Sequence, residues 1–527
     1  MSKLLNLGQA VLIMLLLFSC KTPTPKDLGK EILIPQPTNL IATGSSFDWT
    51  AKTKIYVEEG REDSKGVANY IADLIAPATG YTTEVVSATN PASNKGIALV
   101  ISENESLGEE GYKLTIDEKR VIIAANKAAG LFRAVQTIRQ LLPAKIESDS
   151  LQMGSWEIAS GTIEDAPDYG YRGAMLDVVR HFFDVTDVKR FIDLIAAYKM
   201  NVLHLHLTDD QGWRIEIKSW PNLTKHGGST QVDGGKGGFY TQEEYTELVK
   251  YAQDRFITII PEIDMPGHTN AALASYAELN ADGKARDLYT GTNVGFSTLD
   301  ANKEITYKFI DDVIRELVAL TPGEYIHIGG DESNATKKKD YIKFINRVQD
   351  IVTKHKKKMI GWADVAAAEL EDNSLAQFWQ TKPKNALLAV KQNVKILMSP
   401  AKRAYMDMQY DSICPLGLHW AGYLEVDKAY DWNLETNVEG ISRENIIGIE
   451  APLWSETVET IDDIEYLVFP RLPGYAELGW SKSENKNWDE YKIRLGKQKE
   501  RFEYMKINYY QSPKIPWAVE EVAPVVE

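Results

Sequence analysis

From about residue 171 onward, short apolar runs alternate with stretches in which apolar side chains recur every three or four positions. The runs cover residues 171–178, 201–208, 256–263, 325–328, 358–362, 376–379, 395–398 and 446–453. Runs this short, without polar alternation, suit parallel strands covered on both faces. The stretches between them read as amphipathic helices. Residues 187–198 place Val188, Phe191, Ile192 and Ile195 on one face. Thr241-Gln-Glu-Glu244 has the form of a capping box and opens a helix that turns Tyr245, Leu248, Val249 and Ala252 inward. Further helices are expected over 303–317 and 341–354. Eight strands alternating with helices define the α/β class and a (β/α)8 barrel, placed at residues 162–510. A last amphipathic helix is expected over 488–505, and residues 511–527 read as a loose tail.

The preceding segment has a different rhythm. Residues 55–57 and 96–101 read as strands, and 112–116 with 121–124 as a hairpin. Residues 130–142 carry Leu131, Val135, Ile138 and Leu142 on one helical face, stopped by Pro143. This makes residues 31–161 a small α+β domain without a catalytic cluster of its own.

The first thirty residues are not fold. Lys3 precedes an apolar run at 10–18, too short to span a bilayer and suited to a signal-peptide core. It ends in Leu17-Phe-Ser-Cys20, which resembles a bacterial lipobox. Residues 1–19 then form a signal peptide, Cys20 the lipidated first residue, and 20–30 a linker. The expectation is an exported lipoprotein in the periplasm or on the cell surface, tethered to the membrane by its N-terminal lipid. Cys414 is the other of two cysteines, so no structural disulfide is expected.

Composition narrows the partners. Lys and Arg number 59 against 75 Asp and Glu, for a net charge of −16, with no basic stripe, which argues against nucleic acid. Twelve Trp and 25 Tyr could stack on sugar rings or simply fill cores.

Barrel chemistry sits at the carboxyl ends of strands. The fourth run passes through Gly329-Gly330 into Asp331-Glu332. Two adjacent acids without a basic neighbour suggest separate roles, although a turn leading into a helix N-cap would also use them. The other ends supply Asp177, Arg180 and His181; His204, His206, Asp209, Asp210 and Trp213; Glu262, Asp264 and His268; Trp362; Trp379; Tyr405 and Asp407; and Trp454 with Glu456. Closing a barrel brings all of these to one pocket. His204-x-His206 with His268 and an Asp could bind a metal for hydrolysis. Glycoside hydrolysis needs an acid, a group to stabilise the cationic centre, and aromatic walls. The Asp331-Glu332 pair, Arg180 and three tryptophans fit the second chemistry better.

Six stretches carry a family resemblance: Tyr171-Arg-Gly-Ala-Met-Leu-Asp-Val-Val-Arg-His181, Asn201-Val-Leu-His-Leu-His-Leu-Thr-Asp-Asp-Gln-Gly-Trp213, Pro261-Glu-Ile-Asp-Met-Pro-Gly-His268, His327-Ile-Gly-Gly-Asp-Glu332, Gly361-Trp-Ala-Asp364 and Ala451-Pro-Leu-Trp-Ser-Glu456. In this order they resemble glycoside hydrolase family 20 β-N-acetylhexosaminidases, and residues 31–161 resemble that family's N-terminal domain. The resemblance implies that Glu332 is the general acid/base and that Asp331 holds the substrate's acetamido N–H. The sugar's own acetamido oxygen would be the nucleophile. Tyr405 would bind that oxygen, Arg180, Asp407 and Glu456 the sugar hydroxyls, and Trp362, Trp379 and Trp454 would enclose the acetamido methyl and the ring. His268, backed by Asp209, would orient Glu332, with Asp264 and His204 in the surrounding shell. It implies glycans ending in N-acetylhexosamine as substrates, and neither metal nor cofactor. Release of a disaccharide or a sulfated hexosamine is the alternative specificity.

Overall fold

A computed structural model describes residues 25–517. Eight parallel strands close into a barrel: β1 (Tyr171–Asp177), β2 (Val202–His206), β3 (Thr258–Glu262), β4 (Tyr325–His327), β5 (Lys358–Trp362), β6 (Leu375–Phe378), β7 (Lys395–Met398) and β8 (Ile446–Leu453). They pair in sequence order, and β8 closes onto β1 with Gly448 opposite Tyr171.

The barrel interior is built in layers. Near its amino end Tyr171, Val202, Ile260, Ile360, Leu375 and Leu397 form an apolar cluster separate from the main core. Alternation along β2 then gives His204 and His206 the same side as Val202, while Leu203 and Leu205 join the main core. The barrel is therefore plugged by hydrocarbon below and filled with charge above.

The helices form where the periodicity places them, and their ends show why. Asp184 caps Val185–Ala197 by accepting N–H groups from Thr186 and Asp187 at 2.7 and 3.1 Å. Thr241 and Glu244 close the capping box that opens Gln242–Gln253. Lys338–Lys354 buries Tyr341, Phe344, Ile345, Val348 and Val352 along one stripe.

The N-terminal segment forms a seven-stranded sheet with its edges at Asn39–Asp48 and Val85–Ala88. Helices Glu62–Thr79 and Ala128–Leu141 pack side by side against it. The sheet module docks on the amino end of the barrel. There Glu110 binds Arg133 at 2.9 Å and Arg172 of β1 at 2.6 Å, and accepts from Asn201, while Asp165 meets Lys199 at 3.2 Å. The module thus braces the barrel from the end opposite the strand-end residues.

Four expectations change. The boundary between 161 and 162 cuts the strand Glu157–Asp165, whose residues 162–165 pair within the N-terminal sheet, so the module runs on to Asp165. The linker does not extend to residue 30: Leu28 is fully buried and packs over Gly161, because the short helix Leu28–Lys30 folds onto the sheet. The helix over 488–505 is two helices, Trp488–Gly496 and Lys499–Tyr504, separated at Lys497-Gln498. The tail does not begin at 511. Ser512 is buried and donates to Glu425 at 2.7 Å, and Trp517 packs on Phe502 and Tyr509. The signal-peptide run and Cys20 lie outside the described residues. Among the described residues no helix is long and apolar enough to cross a membrane.

Candidate active site

The two adjacent acids are aimed by an unusual turn. After β4 the chain passes through Gly329 at φ +65° and Gly330 at φ +98°. A Cβ on Gly329 would stand 1.8 Å from Oδ1 of Asp264, so only glycine fits there. Gly330 donates its N–H to the same Asp264 oxygen at 3.1 Å, and its carbonyl accepts the Tyr341 hydroxyl. Glu332 itself sits at φ +43°, a left-handed conformation that costs energy outside glycine and clusters at functional sites.

The turn opens into a cavity of about 300 Å³ at the carboxyl end of the barrel. Arg180, His268, Asp331, Glu332, Trp379, Tyr405, Asp407, Trp454 and Glu456 line it, residues drawn from six strand ends. Trp362 is placed differently from the expectation. It is 1% exposed and forms the layer beneath, donating its indole N–H to Glu262 at 2.9 Å, with its ring 5.8 Å from Trp454 and 6.5 Å from Trp379. It backs the two wall tryptophans. The sequence reading missed Thr292, Val294, Leu418 and Trp420. Trp420 is 52% exposed and meets Trp379 and Tyr405 edge-on at 6.2 and 5.9 Å. It rides on a loop whose two sides both hydrogen-bond the Gln409 backbone, through Leu418 and Leu424. No strand-end rule marks such a residue.

Behind the acids runs a buried column of alternating carboxylates and imidazoles. Glu450 meets His204 Nδ1 at 2.9 Å, and His204 Nε2 meets Glu262 at 3.0 Å. Glu262 holds His206 Nδ1, and His206 Nε2 reaches Asp209 at 2.9 Å. Asp209 also binds Arg180 at 2.8 Å and His268 Nδ1 at 3.0 Å. His268 Nε2 then points at both acids, 3.7 Å from Asp331 Oδ2 and 3.6 Å from Glu332 Oε2. Burial alone would drive the imidazoles neutral, but the carboxylates outweigh it. Glu450 and Glu262 push His204 up to about 9, and Asp209, Asp264 and Asp331 raise His268 well above the usual histidine range. Against its own burial, Asp209 is held well below the carboxylate range by Arg180 and His268.

Asp331 goes the other way. Burial, reinforced by Glu332, Glu262 and Asp364 and opposed by His268, pushes its carboxyl up to about 7. Asp264 is also raised, by burial and by Asp331. The site therefore packs more carboxylates than its cations neutralise, and holds a proton near neutral pH.

On the opposite side several buried polar atoms of the lining residues have no partner. Arg180 is fixed by Asp177 at 3.1 Å and by Asp209, and lies 4.8 Å over the Trp454 ring, yet its Nε is unbonded. Glu456 Oε2 is likewise buried and unpartnered. Backbone N–H groups of Asp407 and Trp454 lie towards the Asp407 carboxylate, but neither oxygen has a partner in good geometry. Buried polar atoms are normally satisfied, so a cluster of unpaired ones at a cavity wall suits a ligand rich in hydroxyls.

Four clusters have metal-ligand spacing: His204, Glu262 and His327; His206, Glu262 and Asp264; Asp209, Asp264 and His268; and His268, Asp331 and Glu332. Both ring nitrogens of His204 and of His206 already bond carboxylates, so these two histidines are spent on the column. A larger groove of about 650 Å³ on the N-terminal module, near Ser45, Lys95 and Arg120, gathers hydroxyls and surface charges but no buried titratable group.

A pocket walled by indoles, floored by ion pairs and armed with two neighbouring acids at the open end of a (β/α)8 barrel places the chain among the glycoside hydrolases. The catalytic-domain model of glycosyl hydrolase family 20 matches residues 169–483, domain 2 of the same family matches residues 30–166, and the chain belongs to this family. It is 39% identical to a β-N-acetylhexosaminidase of Cellulomonas fimi over 495 residues, 93% of this chain and 98% of that one. The GH20 β-N-acetylhexosaminidase structure from Streptomyces coelicolor A3(2) superposes with a TM-score of 0.91 at 50% identity, covering 94% of this chain and all of that one. A mutant Streptomyces plicatus β-hexosaminidase in complex with product (GlcNAc) gives 0.90 at 49% identity, covering 94% and 99%.

Proposed function

We propose that the chain is an exo-acting, retaining β-N-acetylhexosaminidase that removes terminal non-reducing β-linked N-acetylglucosamine or N-acetylgalactosamine by substrate assistance. One observation carries this reading. The reacting oxygens of Asp331 and Glu332 share one imidazole and lie within 4.8 Å of each other and of His268. An acid and a carboxylate nucleophile must flank the sugar. Asp331 and Glu332 are sequence neighbours on one turn and face the same imidazole, so they meet a sugar from the same side and leave the attack to the substrate's own acetamido oxygen.

The steps follow from that placement. Glu332 gives its proton to the glycosidic oxygen as the bond from the anomeric carbon breaks. The acetamido oxygen attacks that carbon from the other face and closes an oxazolinium ring. The nucleophile is tethered to the carbon it attacks, which supplies the proximity advantage. Asp331 accepts the acetamido N–H, and its negative charge offsets the positive ring. Alone, Asp331 keeps a proton to about pH 7; the N–H donor and the forming cation stabilise its ionised state. Glu332 then takes a proton from water as water opens the ring, so two inversions give retention. Tyr405 donates to the acetamido oxygen, Trp379 and Trp454 enclose the methyl group and ring with Trp362 behind them, and Arg180, Asp407 and Glu456 take the hydroxyls. A cavity of about 300 Å³ is at the small end of ligand pockets and suits one terminal residue.

A panel of aryl β-glycosides tests the proposal, with and without the 2-acetamido group and with the N-acetylgalactosamine and 6-sulfated forms. Only acetamido sugars should turn over well, and the first-formed product should be the β-anomer. Equal rates on the sugar lacking the acetamide would remove substrate assistance. Export as a lipoprotein is supported by the apolar run at 10–18 and by Leu17-Phe-Ser-Cys20. With Cys20→Ser the protein should leave the membrane fraction and lose incorporation of labelled fatty acid.

A further inference from the structure

Asp364, two residues beyond Trp362 at the end of β5, has no part in the steps above. Its carboxylate nevertheless collects three side-chain donors at the root of the Trp379 wall. Oδ2 accepts the Trp379 indole N–H at 3.0 Å. Gln380 Nε2 donates to Oδ1 and Oδ2 at 2.9 and 3.1 Å, and Asn385 Nδ2 to Oδ1 at 3.2 Å. Gln380 and Asn385 bond each other as well, at 3.3 Å. These donors come from the end of β6 and from the following helix Lys384–Lys391. Held this way, the Trp379 ring stands edge-on to Trp362 below and to Trp420 at the rim.

Only an ionised carboxylate matches this set of partners. It is purely an acceptor, and it meets three N–H donors. An asparagine would offer one acceptor and turn its own donors against those of Gln380 or Asn385. A residue that merely capped the short turn Ala363–Ala367 would need one acceptor, not two bifurcated oxygens.

We propose that Asp364 is a positioning residue of this site: its carboxylate locks the Trp379 indole against Trp362, so limiting the size of the N-acyl group the pocket admits, and it holds a fixed negative charge against the two acids. The second part follows from placement: β5 pairs beside β4 with Ile360 opposite His327, so Asp364 and Asp331 each stand four residues further on, beyond neighbouring strand ends. Asp364 raises the proton affinity of Asp331, and Glu332 in turn contributes to the raised carboxyl of Asp364, after burial. Asp331 is faced by His268 and Asp264 from the β3 end, Glu332 beside it, Glu262 beneath, Asp364 from β5, and the hydroxyls of Tyr341 and Tyr405. Of these, Asp364 is the acid bound to a wall of the cavity and outside the column.

The inference rests on the reading that Trp379 encloses the acetamido group, so the experiment separates the two. Wild type, Asp364→Ala, Asp364→Asn and Asp331→Asn are assayed on aryl β-glucosaminides carrying N-acetyl, N-propanoyl and N-butanoyl groups, with pH profiles of kcat/KM. In Asp364→Ala the acetyl-to-propanoyl preference should shrink about tenfold, the scale of one methylene in a fitted pocket. In Asp364→Asn the acid limb should move to lower pH, since removing a neighbouring charge eases ionisation of Asp331. An unchanged acyl preference in Asp364→Ala, or a stationary acid limb in Asp364→Asn, overturns the proposal. Should Asp364→Ala not fold, Asp364→Asn, which keeps the shape, carries both measurements. Loss of the acetamide requirement is expected in Asp331→Asn; if the requirement survives there, the substrate-assisted reading fails instead.

Discussion

His268 holds Asp209 with one ring nitrogen at 3.0 Å and directs the other at Glu332 from 3.6 Å. That second nitrogen has no hydrogen-bond partner in its resting place. Among the described residues the imidazole is the one cation within 4.0 Å of both acids, and Asp209 keeps it charged. Removing it should therefore act through charge. In His268→Gln, Asp331 loses the neighbour that favours its ionised form. Its carboxyl, already near 7, should rise further, and the acid limb of kcat/KM should move to higher pH, opposite to the shift expected for Asp364→Asn. Turnover should fall by about 100-fold, the scale of a misaligned acid–base group. A pH profile superposable on wild type would show that His268 serves packing alone.

Glu332→Gln keeps the shape of the side chain and removes the proton it delivers. Turnover of an unactivated disaccharide should drop by about 1,000-fold, within the range of general acid catalysis. Binding measured by calorimetry should change little, because the hydroxyl and acetamide contacts fall to other residues. An aryl glycoside with a good leaving group should lose less in its first step, since that step needs less protonation. Near-normal disaccharide turnover would take Glu332 out of the mechanism.

The barrel was legible because its strands are buried on both faces and so read as unbroken apolar runs. Those runs begin or end within two residues of β1 to β8. Most cavity residues were legible for a related reason: strand ends converge whatever the loops do. Legibility fails where tertiary contacts decide. Asn39–Asp48 is an edge strand whose register shifts between Ala42 and Ser46, and most of its first half is exposed, so it shows no alternation. Glu62–Thr79 contains Pro77 and lacks a side-chain cap, which hides its ends. Trp420 reaches the cavity through loop pairing with Gln409, and Trp362 falls behind the wall tryptophans because Glu262 holds its indole. Neither fact has a local signature.

The turn ahead of the acids gives a backbone prediction. Gly329 has both a left-handed φ and Asp264 Oδ1 where its Cβ would be. Gly329→Ala must displace Asp264, which also accepts the Gly330 N–H and lies against Asp331. The purified variant should be less stable to denaturant by about 1–3 kcal/mol from strain alone. Its activity should fall further than that stability loss explains, because both acids ride on the moved turn. Full activity in folded protein would mean that Asp264 relaxes freely.

The junction between module and barrel makes the last prediction, at the end remote from the chemistry. Glu110 is largely buried between Arg133 and Arg172. Burial opposes its ionisation, but the two guanidiniums prevail and lower its carboxyl to about 2. A depressed carboxyl stabilises the fold fully above its unfolded value, near 4.5, and the stabilisation fades as pH falls from there towards 2. The shift corresponds to about 3 kcal/mol. Denaturant unfolding from pH 7 down to pH 3 should show wild-type stability dropping over that window. Glu110→Gln should start lower by a similar amount at pH 7, since it leaves two buried cations unpaired. It should also lose less between pH 5 and pH 3. Turnover per folded molecule should match wild type, because Arg172 stands at the start of β1 and the acids stand beyond the opposite ends of the strands. Equal pH dependence in variant and wild type would mean that the junction does not store its stability in this carboxylate.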